Sequence, residues 1–187
     1  MALYEYRGVA PRVHATAYVH SSASVIGDVI VGAGCYIGPC ASLRGDFGAI
    51  RIDEESNVQD NCTLHVGHGK TCWLGVRSHV GHGAVVHGAR LVRNVLIGMN
   101  AVVMDGVTIG ESAIVAACTF VKSGMQVPAS TLVVGVPARV VRMLTDGELQ
   151  AKINATNKYC ELAALSSVTI RAIDQAASLP AEKSENK

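Results

Sequence analysis

The sequence predicts an all-β chain wound as a parallel β-helix, a prism built from short strands. Three observations carry that reading: an aliphatic residue returns every sixth position, small residues and glycines fill the intervals, and large side chains are scarce. Only 4% of the 187 residues are aromatic, and 19 glycines stand against two phenylalanines. A core made of such residues must be narrow and evenly packed.

From Val13 the chain divides into hexads opened by Val13, Val19, Val25, Val31, Ile37 and Leu43. The fifth position is small or modest at Ala17, Ala23, Val29, Cys35 and Ala41, with Phe47 the exception. After a short interruption the repeat resumes at Ile52, Val58 and Leu64. It breaks again at HVGHGKTCW and continues from Leu74, Val80 and Val86. One residue is dropped near Leu91, and Ile97, Val103, Ile109, Val115 and Val121 follow. Strand side chains alternate with period two, and six is a multiple of both two and three. Three hexads therefore close one triangular coil, and residues about 18 apart stack at about 4.8 Å, the ordinary strand spacing. The span from Val13 to Arg142 makes about seven coils. Glycine after the aliphatic residue, at Gly32, Gly38, Gly81, Gly98 and Gly110, suits corners that need unusual backbone angles. A sandwich of short strands has no reason to keep a six-residue phase over so many units.

The β-helix is expected over residues 1–143. Beyond it Thr145-Asp146-Gly147-Glu148 reads as a capping box, and Leu149, Ile153, Tyr159, Leu162 and Leu165 continue at roughly helical spacing. A helix from about 146 to 165, within a helical segment 144–176, is expected to pack along the prism on those residues. Residues 177–187 read as a disordered tail.

The net charge of +1 gives no electrostatic argument for nucleic acid or membrane binding. No apolar run reaches membrane-spanning length, and the first residues lack the apolar stretch of an export signal. The six cysteines form no CxxC pair, so they are expected as reduced thiols of a cytoplasmic protein.

The hexad phase also sorts the histidines. Leu64 and Val86 open hexads three apart, with HVGHGKTCW counted as one hexad carrying an insertion. His65 and His87 then point outward from equivalent places on adjacent coils. Arg44 and Met104 extend the same column on either side. His82 belongs to the Val80 hexad, on another face with Gln59, and cannot readily meet the pair within one chain. If all three imidazoles hold one metal, His82 comes from a neighbouring molecule, and a trimer with three interfacial sites follows. Three imidazoles with an open fourth position suit a catalytic zinc ion, which lowers the pKa of its water to about 7. Ordinary surface histidines are the competing reading. His79 reads as a bystander, His68 as a loop residue, and His14 and His20 as unrelated to a site. Arg44 is expected to pair with Asp46 or Asp60. Asn57 or Gln59 is expected to orient a water or a substrate oxygen.

Arg44-x-Asp46, then Asn57-x-Gln59-Asp60, then His65, His82 and His87 together resemble the γ-class carbonic anhydrase-like family. SLRGDFG, NVQDNC, GHGAVVHG, IGMNAVVMDG and VGVPARVVR, followed by a helix, resemble its branch that includes the phenylacetate-degradation protein PaaY and the carnitine-operon protein CaiE. The resemblance implies a left-handed β-helix and a homotrimer. It also implies a zinc ion, alternatively Fe2+ or Co2+, held by His65 and His87 of one subunit and His82 of the next. Arg44 and Asp60 resemble residues that pair across subunits, and Asn57 and Gln59 those near the metal water. Members of the class with carbonic anhydrase activity carry a glutamate directly after the Arg-x-Asp motif and another in the loop after the first ligand. Phe47 and the carboxylate-free Val66-Gly67-His68-Gly69 stand there instead. The implied activity is therefore CO2 hydration, slow for want of a proton exit, or metal-dependent cleavage of an acyl-CoA thioester in aromatic acid catabolism. A metal-free hexapeptide acyltransferase with a histidine base and a non-catalytic trimeric scaffold remain as alternatives.

Overall fold

A computed structural model describes residues 2–173. Its strands stack as parallel coils of a left-handed β-helix of about seven turns, with one C-terminal helix. The hexad phase is a burial phase. Val25, Val31, Ile37, Leu43, Ile52, Val58, Leu64, Leu74, Val80, Val86, Leu91 and Ile97 are all buried, and so are the openers as far as Val133. Burying one such aliphatic side chain stabilises the fold by ~1.5–3 kcal/mol. A ladder of identical environments explains why the pattern is so strict. Phe47, the odd fifth-position residue, lies outside.

Strand register defines three faces. On the first, Val25, Leu43, Leu64, Val86, Val103 and Val121 stack coil upon coil. On the second the stack runs through Val31, Ile52, Leu74, Leu91, Ile109 and Val127. The third carries Val19, Ile37, Val58, Val80, Ile97, Val115 and Val133. Two long strands, Ser24–Val31 and Ser42–Ile52, turn the corner from the first face to the second without a break. The register shifts beside Gly27 and Val29, where the segment around Phe47 is accommodated.

The structure corrects the reading of the corner glycines. Gly32, Gly38, Gly81, Gly98 and Gly110 do not have positive φ. What they lack room for is a side chain: a Cβ on Gly98 would stand 2.5 Å from the backbone nitrogen of Ala117 on the next coil. The left-handed residue comes two positions later, at the fourth place of the hexad. Cys40, Asn61, Asn100, Ser112, Cys118 and Ser130 occupy it with φ between 53° and 58°.

Both ends add strands, within the expected 1–143, that the hexad count does not mark. Ala2–Tyr4 already pairs in parallel with Ser24–Ile26, ahead of the first recognisable hexad. At the other end Arg139–Met143 folds back antiparallel on Thr131–Val134 and caps the last coil. The helix α1, Asp146–Thr169, starts with the expected capping box, in which Thr145 and Glu148 bond each other's backbone nitrogens. It ends before Ile173, with Ile170 already extended. Only part of the expected stripe faces the prism: Leu149, Ile153 and Tyr159 are half-buried, with Tyr159 against Tyr36 and His79. Lys152, Thr156, Ala163 and Ser166 are buried, whereas Leu162 and Leu165 are exposed. The corner under the helix offers the carbonyl of Arg77 and the amide of Asn94, and Lys152 Nζ donates to both. The first half of the helix face thus docks through polar groups, while Tyr159 and Ala163 supply its apolar contacts. The expected tail, 177–187, lies outside the described residues.

No helix among the described residues is long and apolar enough to cross a membrane. All six cysteines are free. Burial pushes the thiols of Cys35 and Cys72 up to about 12 and that of Cys62 to about 11, so these three serve as small core residues.

Candidate metal centre

Parallel pairing sets His65 directly beside His87 at the downstream end of the first face. Their ring centroids lie 5.1 Å apart, and His65 Nδ1 stands 3.1 Å from His87 Nε2. The other nitrogen of each ring points at a carboxylate. His65 Nε2 lies 3.0 Å from Asp46 Oδ1, and His87 Nδ1 lies 2.7 Å from Asp105 Oδ2. An imidazole that donates its one N–H to a carboxylate turns an unprotonated nitrogen to the other side. In the neutral pair, two lone pairs therefore converge, an arrangement that asks for a cation between them. Two imidazoles on one tetrahedral zinc at ~2.0–2.1 Å sit about 3.3 Å apart, close to the spacing present. Carboxylates behind ligating histidines are the usual way of fixing tautomer and ring orientation. The donor set thus fits a zinc-type ion.

Local structure explains the two carboxylates. Asp46 follows Arg44 on the same strand, and Arg44 Nη1 donates to Asp46 Oδ2 at 2.8 Å. Burial opposes the charge on Asp46, but hydrogen bonds from His65 and Arg44 outweigh it and hold the carboxyl below its ordinary pKa. Asp105 reaches His87 across Gly88. A Cβ there would come within 2.4 Å of Asp105 Oδ1, and φ is +56°, so only glycine serves both demands. Met104, the expected next member of the column, is not what meets His87; Asp105 is. In the sequence Asp105 reads as an ordinary turn residue in MDG, and only its place one coil beyond Gly88 marks it.

His82 sits at the corner that precedes the first face, at the far end of that face from His65 and His87. Its Nδ1 lies 2.8 Å from Asp60 Oδ2, one coil back, and the side chain is about half exposed. Within the chain Arg44 pairs with Asp46, and Asp60 pairs with His82. Among the described residues no three His, Cys, Asp or Glu side chains gather into a metal site within the single chain.

Asn57 and Gln59 are buried on the third face with His79. Gln59 Nε2 donates to Asn57 Oδ1 at 3.0 Å and also bonds His79 Nε2. Tyr159 of α1 closes over His79 edge to face, at 5.2 Å. Burial first, then the charges of Lys152 and His82, push the His79 imidazole down to about 4. It is a neutral packing and hydrogen-bonding residue here, as its bystander reading expects. His68 leaves the insertion loop and stacks on Phe47 at 4.1 Å, with Phe47 also 5.5 Å from His65. An aromatic pair thus stands beside His65. The rings of His14 and His20 bond nearby Thr16 and Ser22.

Comparison with known proteins agrees with this architecture. Residues 88–123 match the bacterial transferase hexapeptide (six repeats) signature. The carnitine operon protein CaiE of Salmonella agona is 51% identical over 163 residues, 87% of this chain and 82% of that protein. CaiE of Escherichia coli is 49% identical, over 87% of this chain and 83% of its own. Among solved structures, a Bacillus cereus protein described as an acetyltransferase superposes with a TM-score of 0.87 at 32% identity, covering 88% of this chain and 95% of its own. A hexapeptide transferase family protein from Anaplasma phagocytophilum superposes with a TM-score of 0.84 at 33% identity, covering 87% and 96%. By repeat, by sequence identity along most of its length and by fold, the chain belongs to the hexapeptide-repeat family, on the branch of the carnitine operon protein CaiE.

Proposed function

We propose that this protein is a γ-carbonic anhydrase-like metalloenzyme whose centres lie between subunits of a homotrimer. His65 and His87 of one subunit and His82 of the next hold a zinc ion, with Fe2+ or Co2+ as alternatives. One observation carries the reading: two imidazole nitrogens 3.1 Å apart, each backed by its own carboxylate. A bound ion of this kind acidifies its water to near neutral pH and polarises an adjacent carbonyl. The chain's own residues do the rest. Asp46 and Asp105 fix the two rings, Asp60 turns Nε2 of His82 outward, and Arg44 holds Asp46. Gln59, held by Asn57 and His79, lines a cavity beside His82, and Asn57 braces it from the buried side.

Hydration of CO2 is the first reading, and it is slow, because Phe47 and His68 stand where a proton exit needs a carboxylate. The same pair favours a second reading, hydrolysis of an acyl-CoA thioester, in which proton export is less demanding than in rapid CO2 turnover. The acyltransferase reading leaves the convergent imidazole nitrogens without a role, and so does a non-catalytic scaffold. A reducing, cytoplasmic setting suits six free thiols.

Metal analysis of the purified protein after growth with zinc or iron tests the centre, with about one ion per chain expected. A content far below that removes both metal readings. Stopped-flow CO2 hydration beside hydrolysis of an aryl-CoA panel then separates lyase from thioesterase.

A further inference from the structure

The second face carries an outward ladder that neither α1 nor the proposed metal centre uses. The edges that hold His65, His87 and His82 both bound the first face, and α1 lies on the third. The middle of the second face therefore stays outward in the proposed trimer. Its outward residues stack one per coil as Ile30, Arg51, Trp73, Arg90 and Thr108, about 4.8 Å apart. Trp73 is the only tryptophan of the chain. Its Nε1 donates to Asp53 Oδ2 at 2.9 Å, which fixes the ring across the face. From the next coil Arg90 Cζ stands 3.9 Å from the centre of that ring. So close an approach is a stacked one, and it leaves the guanidinium N–H groups pointing outward along the plane. A cavity of about 330 Å³ opens beside the stack, lined by Arg51, Thr71, Trp73 and Arg90.

We propose that this cavity is a second ligand site, which binds a small planar aromatic carboxylate away from the metal centre. It stands independently of the metal reading. Charge selects the anion. Arg51 spends its guanidinium on Asp28 and on the Ile50 carbonyl. Arg90 has no ion pair or hydrogen-bond acceptor among the described residues and only the indole beneath it. The cavity therefore offers one uncommitted positive charge, which a singly charged carboxylate matches and a fork of N–H groups holds at two points. Stacking keeps that fork in place before any ligand arrives, which lowers the ordering cost of binding. Shape selects the ring. A carboxylate paired edge-on with the guanidinium lies in its plane, parallel to the indole, and so does an arene conjugated to it. The indole and the methylene stem of Arg51 supply an apolar wall for that arene, and Thr71 closes the rim. Acetate would reach the fork and leave the wall bare. A neutral aromatic amide would cover the wall and leave the fork unpaired.

Trp73 makes the site directly readable, because the tryptophan fluorescence of the full-length protein as purified comes from this residue alone. Benzoate is the probe, with benzamide and acetate as controls at constant ionic strength. Benzoate is expected to change the Trp73 emission saturably, with a Kd of roughly 1 mM or tighter, where both controls leave it unchanged. Saturation-transfer NMR on the benzoate protons is expected to give the same affinity without relying on the fluorophore. Arg90→Ala is expected to weaken binding about tenfold or more. Arg90→Lys, which keeps the charge and loses the fork, should fall between. Thr108→Ala, one coil further along the ladder and outside the cavity lining, is expected to bind as the parent does. Benzoate can also coordinate a metal, so each titration is repeated after chelator treatment, and the affinity is expected to stay the same. Signals indifferent to benzoate, a response shared by benzamide or acetate, or an affinity unmoved by Arg90→Ala overturns the proposal. Binding that disappears on chelation also overturns it, since the anion then belongs to the metal centre.

Discussion

At the scale of single residues, the proposed centre depends on side chains that touch no ligand. Asp105 orients His87, and Gly88 gives Asp105 its path. Asp105→Asn is expected to lower zinc affinity by ~10–100-fold, the usual effect of losing a carboxylate behind a ligating histidine. Chelator competition measures it, and the melting temperature should change little because Asp105 is partly exposed. Gly88→Ala should do at least as much damage, since the new methyl collides with Asp105 and the backbone conformation is left-handed. His79 gives a second expectation, in pH. Its folded pKa of about 4 lies below the ordinary 6.5, so between those values the unfolded chain binds a proton that the fold refuses. Stability is then fully present above pH 6.5 and is lost as pH falls toward 4, by up to about 3 kcal/mol. Urea midpoints at pH 7 and pH 5 check this, and His79→Gln should flatten the difference. Asp105 was the residue least legible in the sequence. It sits 18 positions from His87 in a common turn tripeptide, and only the stacked coil reveals the contact.

At the scale of elements, α1 shows why apolar periodicity alone misplaces a helix. Leu162 and Leu165 kept the spacing of a core face, yet the corner beneath the helix is polar and Lys152 and Thr156 dock there. Lys152 Nζ donates to the Arg77 carbonyl, to Asn94 Oδ1 and to Thr156 Oγ1. Burial and then the Arg77 charge push its pKa down from 10.5 to about 7. Below pH 7 both folded and unfolded states hold the proton and the cost of burying the charge is complete. Between 7 and 10.5 the fold has released a proton that the unfolded chain keeps, so stability rises with pH there. Thermal midpoints should therefore climb from pH 7 to pH 9, and the climb should disappear in Lys152→Met. The helix start was legible because Thr145 and Glu148 form a local motif. The docking face was not, because it depends on carbonyls that only the coil geometry exposes.

At the scale of the whole molecule, one periodicity generates both the core and the site. A chain that buries every sixth residue must stack equivalents three hexads apart, so His65 meets His87 although 21 residues separate them. This part is legible in the spacing alone, as is the placement of His82 on another face. The corner glycines were misread because steric approach between coils and left-handed backbone leave similar traces in sequence. Removing one core step should be costly: Leu64→Ala, fully buried between Leu43 and Val86, is expected to lose ~2–5 kcal/mol, read from denaturant midpoints. The central claim is that each metal ion draws ligands from two chains. His65→Ala and His82→Ala proteins, denatured together in equal amounts and refolded as mixed trimers, test it most directly. Each parent alone should bind almost no zinc. Random mixing should restore about a quarter of the wild-type content, because one interface in four brings an intact His65–His87 pair against an intact His82. A mixture that binds no more zinc than its parents would contradict the account.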